Sequence, residues 1–427
     1  MPLASALSVE TKSKKGISQA WLTVGLLCVV GCLNYLDRTM IATMRESVVQ
    51  SIPMTNAQFG LLTSMFLWVY GILSPFAGFL ADRFNRSKVI IGSLLVWSLV
   101  TLLTAHVKTY EQLLFSRALM GISEACYMPA ALALIVDHHK GATRSLATGI
   151  HIAGVLFGQS LGFIGGWIAE HHHWTLAFSL FGSIGIGYAL LLVFTLKDAA
   201  AKKEQITNLV SGEKVRFSKA VKSIFSNRSF ILTLIYFSLL GIVGWMIMGW
   251  LPTYYREHFN VSQSAAGLYA TGYIYPAALV GVIVGGFLAD RWSKKNRKAR
   301  ILLPVVGLLV AAPFIFVASY TSILLVAIVC FMIFVFTRSF TDANMMPVLC
   351  LIIDDRYLAT AYGILNLFAC IVGGCGIYAA GMLRDSKINL GVVFQSAALI
   401  MIVSAVLLYF VKPRKDINAQ RRDIASH

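Results

Sequence analysis

Residues 78–83 read Gly-Phe-Leu-Ala-Asp-Arg, and residues 286–291, which begin 208 positions further along the chain, read the same six residues. Each hexapeptide ends a long apolar stretch and begins a short basic one. Identical segments at equivalent places in a chain indicate an internal repeat. The sequence therefore predicts two homologous halves.

Two weaker repeats agree with this division, at offsets of 218 and 212 positions. Residues 124–129 and 342–347 each contain an acidic residue followed by Ala, with Met-Pro closing the segment, and residues 146–148 and 358–360 both read Leu-Ala-Thr. In each pair, one copy lies in each half of the chain. The two copies occupy apolar segments with the same number in the order of their halves, and they lie on the same side of the membrane. This arrangement predicts a parallel repeat, related by an axis along the membrane normal.

The composition sets the fold class. Of the 427 residues, 57% are hydrophobic and only 13% are charged, whereas a soluble domain has about half apolar and about a quarter charged residues. A membrane-spanning helix takes about 20 apolar residues, so the chain has enough for about twelve spans. Runs such as 90–103 and 301–318 lack the alternation of a transmembrane β-barrel. We predict an all-α integral membrane protein with no catalytic site, and not an enzyme.

The apolar runs divide into two groups of six around the longest polar stretch, 197–228. We predict a tail at 1–19, an N-terminal bundle at 20–196, a linker at 197–228, a C-terminal bundle at 229–411 and a tail at 412–427. The predicted spans are 20–45, 58–81, 88–107, 112–136, 144–169, 174–196, 229–255, 265–289, 300–319, 322–351, 357–383 and 391–411.

The net charge of +17 is distributed unevenly over this topology. Of the 36 Lys and Arg residues, 28 fall on the side that carries both termini and the linker. Cytoplasmic loops carry such an excess, so we predict a plasma (inner) membrane protein with both termini in the cytoplasm. The asymmetry explains the basic composition without a nucleic-acid partner. All seven cysteines lie in apolar spans without metal-site spacing, so we predict no metal and no cofactor.

Ionisable residues inside the spans are candidates for function, because each costs about 2.5 to 3.5 kcal/mol to insert unless it is paired or hydrated. Arg117, Gly121 and Glu124 are spaced so that both charges lie on one helical face, with a glycine between them that allows close approach of another helix. The complete set is Asp37, Arg38, Arg117, Glu124, His151, Arg338 and Asp342.

Other polar candidates carry weaker arguments. Arg338 and Asp342 are four residues apart, so a local salt bridge is as reasonable as a role in substrate binding. His151 suits either a proton relay or a satisfied structural residue. Further groups that could bind a polar substrate are Asn34, Tyr35, Tyr236, Trp245, Tyr269, Tyr273, Tyr362 and Asn366.

The duplicated segments resemble the loop motif of the major facilitator superfamily of secondary transporters, and the resemblance covers essentially the whole chain. The motif is matched by Gly78, Asp82, Arg83, Arg86 and Lys88. Asn85 replaces its second glycine, and Asn tolerates a left-handed turn. The resemblance implies a conformational latch formed by Gly78, Asp82, Arg83, Arg86, Gly286, Asp290 and Arg291, and alternating access by a monomer of two pseudo-symmetric six-helix bundles.

Residues 34–38 and 117–125 resemble two branches of that superfamily. These are the proton symporters of organic anions such as sugar acids and the spinster-like proton-linked transporters of amphiphiles. Both resemblances imply that Asp37 and Glu124 couple transport to protons, and the anion branch implies that Arg38 and Arg117 bind substrate or coupling carboxylates. Proton-driven import of a small organic anion is our first interpretation, and spinster-like amphiphile transport is the alternative. A packing salt bridge between Asp37 and Arg38, and a receptor without net flux, are further alternatives.

The fifth predicted span, 144–169, carries glycines at four-residue spacing, at 154, 158, 162 and 166. Such a stripe permits a close helix crossing, which we expect here. It also resembles the glycine-rich motif of drug antiporters, but Phe163 stands where that motif has proline. No phosphate-binding loop ending in Lys-Ser/Thr occurs, so an ATP-driven pump is not predicted.

Overall fold

The computed structural model describes residues 3–139, 143–198, 217–296, 298–354 and 357–414, without the side chains of 3–18, 78–82, 217–220 and 359. Within these ranges the chain is helical and contains no β-strand. Twelve helices in the described ranges are long and apolar enough to cross a membrane. The predicted all-α class and the number of spans are confirmed.

The twelve spans agree with the predicted segments to within a few residues at most ends. The N-terminal bundle contains α1 Gln19–Thr43, α2 Asn56–Ala77, α3 Arg86–Thr104, α4 Tyr110–His138, α5 Arg144–His171 and α6 Trp174–Thr195. The C-terminal bundle contains α7 Arg228–Phe259, α8 Gln263–Ser293, α9 Ala299–Tyr320, α10 Leu324–Ile352, α11 Thr360–Asp385 and α12 Leu390–Tyr409.

The regular helices extend beyond some of these apolar segments. The helix that contains α1 begins at Leu3, and the helix that contains α2 continues to Arg83. A short helix, Arg45–Ser51, lies between α1 and α2. Another, Phe217–Phe225, lies in the predicted linker, of which residues 199–216 fall outside the described ranges, as do 415–427 of the predicted C-terminal tail.

Three spans are interrupted, two of them close to a proline. Span α4 consists of helices Tyr110–Ala125 and Tyr127–His138, which meet at Cys126. Pro129 lacks the N–H that would bond to the Ala125 carbonyl, which explains the break. Span α8 contains a π-helical turn, Leu268–Gly272, four residues before Pro276. Span α5 is interrupted between Ser160 and Phe163.

The glycine stripe of α5 makes the close helix crossing that the sequence predicts, and its partner is α1. A Cβ at Gly154 would lie 3.0 Å from the Cβ of Cys28, and one at Gly158 would overlap the Cys32 carbonyl oxygen. Further along, Gly162 and Gly166 face Thr39 and Thr43 of α1 in the same way. The stripe therefore brings the two helix backbones into direct contact.

The two bundles contact each other mainly through α2 and α11 and through α5 and α8. Ser64 donates a hydrogen bond to the Gly374 carbonyl at 2.6 Å, and the Trp68 indole donates to Ile371 at 3.0 Å. We call the membrane side that carries the linker the linker face, and the other side, where α1 leads into α2 and α7 into α8, the opposite face. The bundles are closed together at the opposite face by hydrogen bonds such as that from the Ser47 backbone to Gln263, at 3.2 Å.

Candidate functional site

The charged residues predicted to lie inside the N-terminal bundle are buried in the protein and do not face lipid. Asp37 and Arg38 on α1 are 3% and 4% exposed, and Arg117 and Glu124 on α4 are 1% and 0% exposed. Two positive and two negative groups therefore share one interior region, and each interacts electrostatically with others of the set. We call these four residues the buried tetrad.

An ion pair joins α1 to α4 within the tetrad. The Arg38 Nε donates to Oε2 of Glu124 at 2.6 Å. Asp37 is the neighbour of Arg38 in sequence, but its Oδ2 accepts a hydrogen bond from Thr101 of α3 at 3.1 Å. Successive side chains on a helix point about 100° apart, which separates the two partners. The packing salt bridge between Asp37 and Arg38 is not formed in this structure.

Aromatic rings surround the Arg38 guanidinium. Its Cζ lies 4.4 Å from the ring centroid of Tyr35, 4.5 Å from that of Tyr70 and 5.0 Å from that of Phe66. Arg117 has a looser environment, with Cζ 5.5 Å from the Phe66 centroid. Cation–π contacts hold a guanidinium in place while leaving N–H groups free for a ligand.

Several polar atoms of the tetrad are buried without a hydrogen bond among the described residues. They are Asp37 Oδ1, Arg38 Nη2, Arg117 Nε and Glu124 Oε1. The side chain of Asn34 lies beside the Glu124 carboxyl group. Unpaired buried polar groups cost free energy, about 1 to 3 kcal/mol each and more when charged. The site therefore has unused capacity to bind an ion, a proton or water.

Gly121 performs the role predicted from its place between Arg117 and Glu124. A Cβ at this position would lie 2.8 Å from the Phe66 carbonyl oxygen of α2 and 3.2 Å from the Tyr70 nitrogen. This close approach brings Phe66 and Tyr70 beside Arg38. The two charges and the glycine thus share one face of α4, in contact with α2.

The arginines of the tetrad border a narrow cleft between the bundles, of about 20 Å³, which is room for about one water molecule. Trp245 lines it from α7, as one of the predicted polar or aromatic candidates. The lining side chains are Arg38, Thr63, Phe66, Leu67 and Arg117 of the N-terminal bundle, and Trp245, Met248 and Ile377 of the C-terminal bundle. A ligand in this cleft would contact both bundles.

On the C-terminal side, Arg338 Nη1 and Asp342 Oδ2 of α10 form the local salt bridge that their spacing predicts, at 3.1 Å. Arg338 is partly exposed and packs against Gly244 of α7. Tyr275 of α8 lies near Arg338 and near Tyr35 of the other bundle. Tyr275 was not among the predicted site residues, because nothing in the sequence distinguishes it from other tyrosines in spans.

The other predicted candidates are distributed more widely. His151 is fully buried between α1 and α4, where its ring lies 6.0 Å from that of Tyr127 and close to the Leu27 backbone. Asn366 is half-buried on α11, and Tyr236 of α7 is buried. Tyr269 and Tyr273 stack on each other at 5.9 Å, and Tyr362 is exposed.

The predicted latch lies at the linker face. Arg86 forms an ion pair with Asp137 and donates to the Ala133 carbonyl at 2.7 Å, both in its own bundle. Asp290 pairs with Arg300 at 3.0 Å. Arg83 and Arg291 are exposed, a Cβ at Gly286 would meet no atom within 4 Å, and Gly78 and Asp82 fall outside the described side chains.

The left-handed turn considered for Asn85 does not occur. Its φ of −63° and ψ of 119° are extended, and its side chain accepts a hydrogen bond from the Lys88 nitrogen at 2.9 Å. Asn85 therefore caps the N-terminus of α3, a role that Asn performs well and glycine performs without a side-chain bond.

The duplicated six-helix architecture and the cleft between its halves agree with a family model. Residues 27–377 match the model of the Major Facilitator Superfamily. The chain belongs to this superfamily. It is therefore an integral multi-pass membrane protein of a superfamily of transporters, with two six-helix halves around the cleft described above.

Relatives of two kinds are similar to this transporter. Protein spinster of Drosophila melanogaster is 30% identical over 72% of this chain and 52% of its own length, and the human spinster homolog 1 is 28% identical over 70% and 60%. The chain thus spans little more than half of these relatives. A probable sulfoacetate transporter of Cupriavidus necator is 26% identical over 94% of this chain and 95% of its own.

Solved structures show the same fold. A bacterial homolog of the spinster transporter, in an inward-facing unoccupied conformation, superimposes with a TM-score of 0.73 at 22% identity, covering 92% of this chain and 95% of that one. A D-xylose–proton symporter superimposes with a TM-score of 0.76 at 15% identity, covering 91% of this chain and 97% of that one.

Proposed function

We propose that this transporter carries a small organic anion together with protons, by alternating access of the two bundles around the cleft. The observation that supports this most is the buried tetrad, with Arg38 and Arg117 bordering the cleft. Two arginines at one cleft can bind a carboxylate or sulfonate. The linker face is then cytoplasmic, and the opposite face is external, in agreement with the positive-inside rule.

The ion pair between Arg38 and Glu124 suggests how the two fluxes are coupled. A carboxyl group in apolar surroundings holds a proton more tightly than in water, while a neighbouring arginine favours its charged form. A substrate anion that bonds to Arg38 competes with Glu124 for the guanidinium. The released Glu124 then takes up a proton, and Asp37 is a second carboxyl that can do so.

A sulfonated or carboxylated substrate is favoured by the probable sulfoacetate transporter, because the similarity extends over 95% of that relative. Sugar acids and related carboxylates present the same anionic group and remain in the proposed class. Transport of amphiphiles is the second candidate, and it is favoured by the 30% identity to protein spinster.

Counterflow in proteoliposomes tests the substrate class. Vesicles loaded with sulfoacetate, a sugar acid, a dicarboxylate, a neutral sugar or a lysolipid are diluted into the same labelled compound. We expect exchange of at least one small anion and none of the neutral sugar. Exchange of the lysolipid alone would contradict the anion proposal and favour the spinster-like alternative.

A further inference from the structure

A second group of charges lies at the opposite face, about Glu257 at the end of α7. Its carboxylate accepts two hydrogen bonds from Arg384 Nη2 of α11, at 2.7 and 2.8 Å. Arg45 of the other bundle lies 3.8 Å from the same carboxylate. We call Arg45, Arg384 and Glu257 the external clamp.

The two clamp arginines are arranged as a binding site for one anionic group. Both guanidiniums lie over the ring of Trp250, with Cζ at 5.4 Å for Arg45 and 5.0 Å for Arg384. Each arginine side chain is only 12% exposed. Like charges repel at such close range, so an anion must lie between them, and here it is Glu257.

The surroundings leave an excess of positive charge. Arg256 pairs with Glu46 across the bundles at 3.3 Å, so that the region has three arginines and two glutamates. Asp385 adds a third carboxylate, which accepts the backbone N–H groups of Asn56 and Ala57 at 2.9 and 2.8 Å. Lys387, which lines the adjoining cleft, adds a fourth cation, so one positive charge is in excess.

The clamp also has unused hydrogen-bonding capacity. Arg45 Nε and Arg384 Nη1 are buried without a partner among the described residues. Beside the clamp lies an open cleft of about 310 Å³, lined by His258, Arg384, Lys387, Ile388 and Asn389 among others. A small anion arriving from this side meets cationic groups before it meets the membrane interior.

We propose that Glu257 is a tethered carboxylate that closes the external entrance by occupying an anion-binding site, and that an external carboxylate or sulfonate competes with it for Arg45 and Arg384. Displacement of Glu257 removes its ion pair with Arg45, at 3.8 Å across the two bundles, and so favours opening. The identity of the competing anion rests on the proposed function, whereas closure by Glu257 does not.

Closure is tested by a distance measurement across the entrance. Spin labels are placed at Lys108→Cys and Ser322→Cys, exposed positions in equivalent loops of the two bundles, after replacement of the seven native cysteines. We expect Glu257→Gln to increase about fivefold the population of molecules in which the two spin labels are far apart. This is the effect expected for the loss of one partly exposed ion pair. Glu111→Gln removes an exposed carboxylate at the same face and should change nothing. Equal distributions in Glu257→Gln and the parent would overturn the proposal.

The anion site is tested by charge-selective modification. Ile388→Cys, in the cleft beside Arg384, is reacted with an anionic sulfonate thiosulfonate reagent and with its cationic ammonium analogue. We expect the ratio of anionic to cationic reaction rates to rise in Glu257→Gln, to fall in Arg384→Gln, and to stay at the parent value in Glu111→Gln. Added sulfoacetate at constant ionic strength should slow the anionic reagent in Glu257→Gln.

A rate ratio that responds equally to Glu257→Gln and Glu111→Gln would overturn the anion site. Neither test depends on transport, so their outcome is separable from that of the counterflow experiment. If both succeed and no small anion is exchanged in counterflow, the clamp stands and the proposed substrate class fails.

Discussion

Arg38 on α1 and Glu124 on α4 are joined by a hydrogen bond of 2.6 Å between Nε and Oε2, in a place where both side chains are almost completely buried. Breaking a buried pair by removing one partner leaves the other charge uncompensated, at a cost of about 3 to 5 kcal/mol. Each of the two groups can leave its partner only if another group of the same charge as that partner, or a proton, takes its place. A substrate anion and a proton are the exchange partners that we propose.

Glu124→Gln should abolish accumulation against a gradient and retain exchange at equilibrium. The amide cannot take up a proton, but it keeps the volume of the carboxyl group and can accept a bond from Arg38. The measurement compares accumulation under an inward proton gradient with counterflow of the same anion. Glu111→Gln, an exposed site on the same span, is the matched control. Unimpaired accumulation in Glu124→Gln and in Asp37→Asn would remove both carboxyls from the coupling mechanism.

Arg38→Ala should weaken substrate binding about 10- to 100-fold, the value for losing one buried hydrogen bond to a charged group. Arg38→Lys keeps the charge but loses the planar geometry and part of the contact with Tyr35 and Tyr70, so we expect an intermediate affinity. Binding is measured by scintillation proximity or calorimetry on purified protein. An unchanged affinity in Arg38→Ala would exclude Arg38 from the substrate site.

Gly158→Ala should destabilise the protein by about 1 to 3 kcal/mol, because the added methyl group meets the α1 backbone at Cys32 and neither helix can move freely. Gly149→Ala on the same span is the control, since a Cβ there has no atom within 4 Å. Thermal unfolding in detergent compares the two. A lower melting temperature in Gly149→Ala than in Gly158→Ala would contradict the close crossing of α1 and α5.

The proposed orientation predicts opposite accessibility for two exposed loops. In a background without native cysteines, Ser322→Cys at the opposite face should react with an impermeant maleimide in intact cells. Lys295→Cys at the linker face should react only after permeabilisation. The reverse pattern would invert the orientation derived from the distribution of Lys and Arg.

The sequence predicts those features that depend on spacing within one helix. The twelve spans follow from apolar length, the shared face of Arg117 and Glu124 from their separation, and the Arg338–Asp342 salt bridge from the four-residue interval. Glycine spacing also predicts that α5 crosses another helix closely, but not that this helix is α1. Each of these features depends on residues that are close together in the chain, so the sequence alone is enough to predict it.

Contacts between helices are less accessible to such a reading. The bond of Asp37 to Thr101, the aromatic environment of Arg38 and the external clamp depend on the relative rotation and register of different spans. Glu257 and Arg384 are 127 positions apart and lie in short polar segments that resemble ordinary loop ends. The duplicated Asp-Arg motif lies at the linker face, whereas the contacts of Glu257 lie at the opposite face and belong to no repeated motif.

Proton movement driven by the substrate tests the central claim most directly. Proteoliposomes containing a pH-sensitive dye receive the anion identified by counterflow, with no imposed proton gradient. We predict internal acidification in the parent protein and none in Glu124→Gln, while labelled anion still exchanges in that variant. Anion entry without acidification in the parent, or equal acidification in Glu124→Gln, would contradict coupling through the Arg38–Glu124 pair.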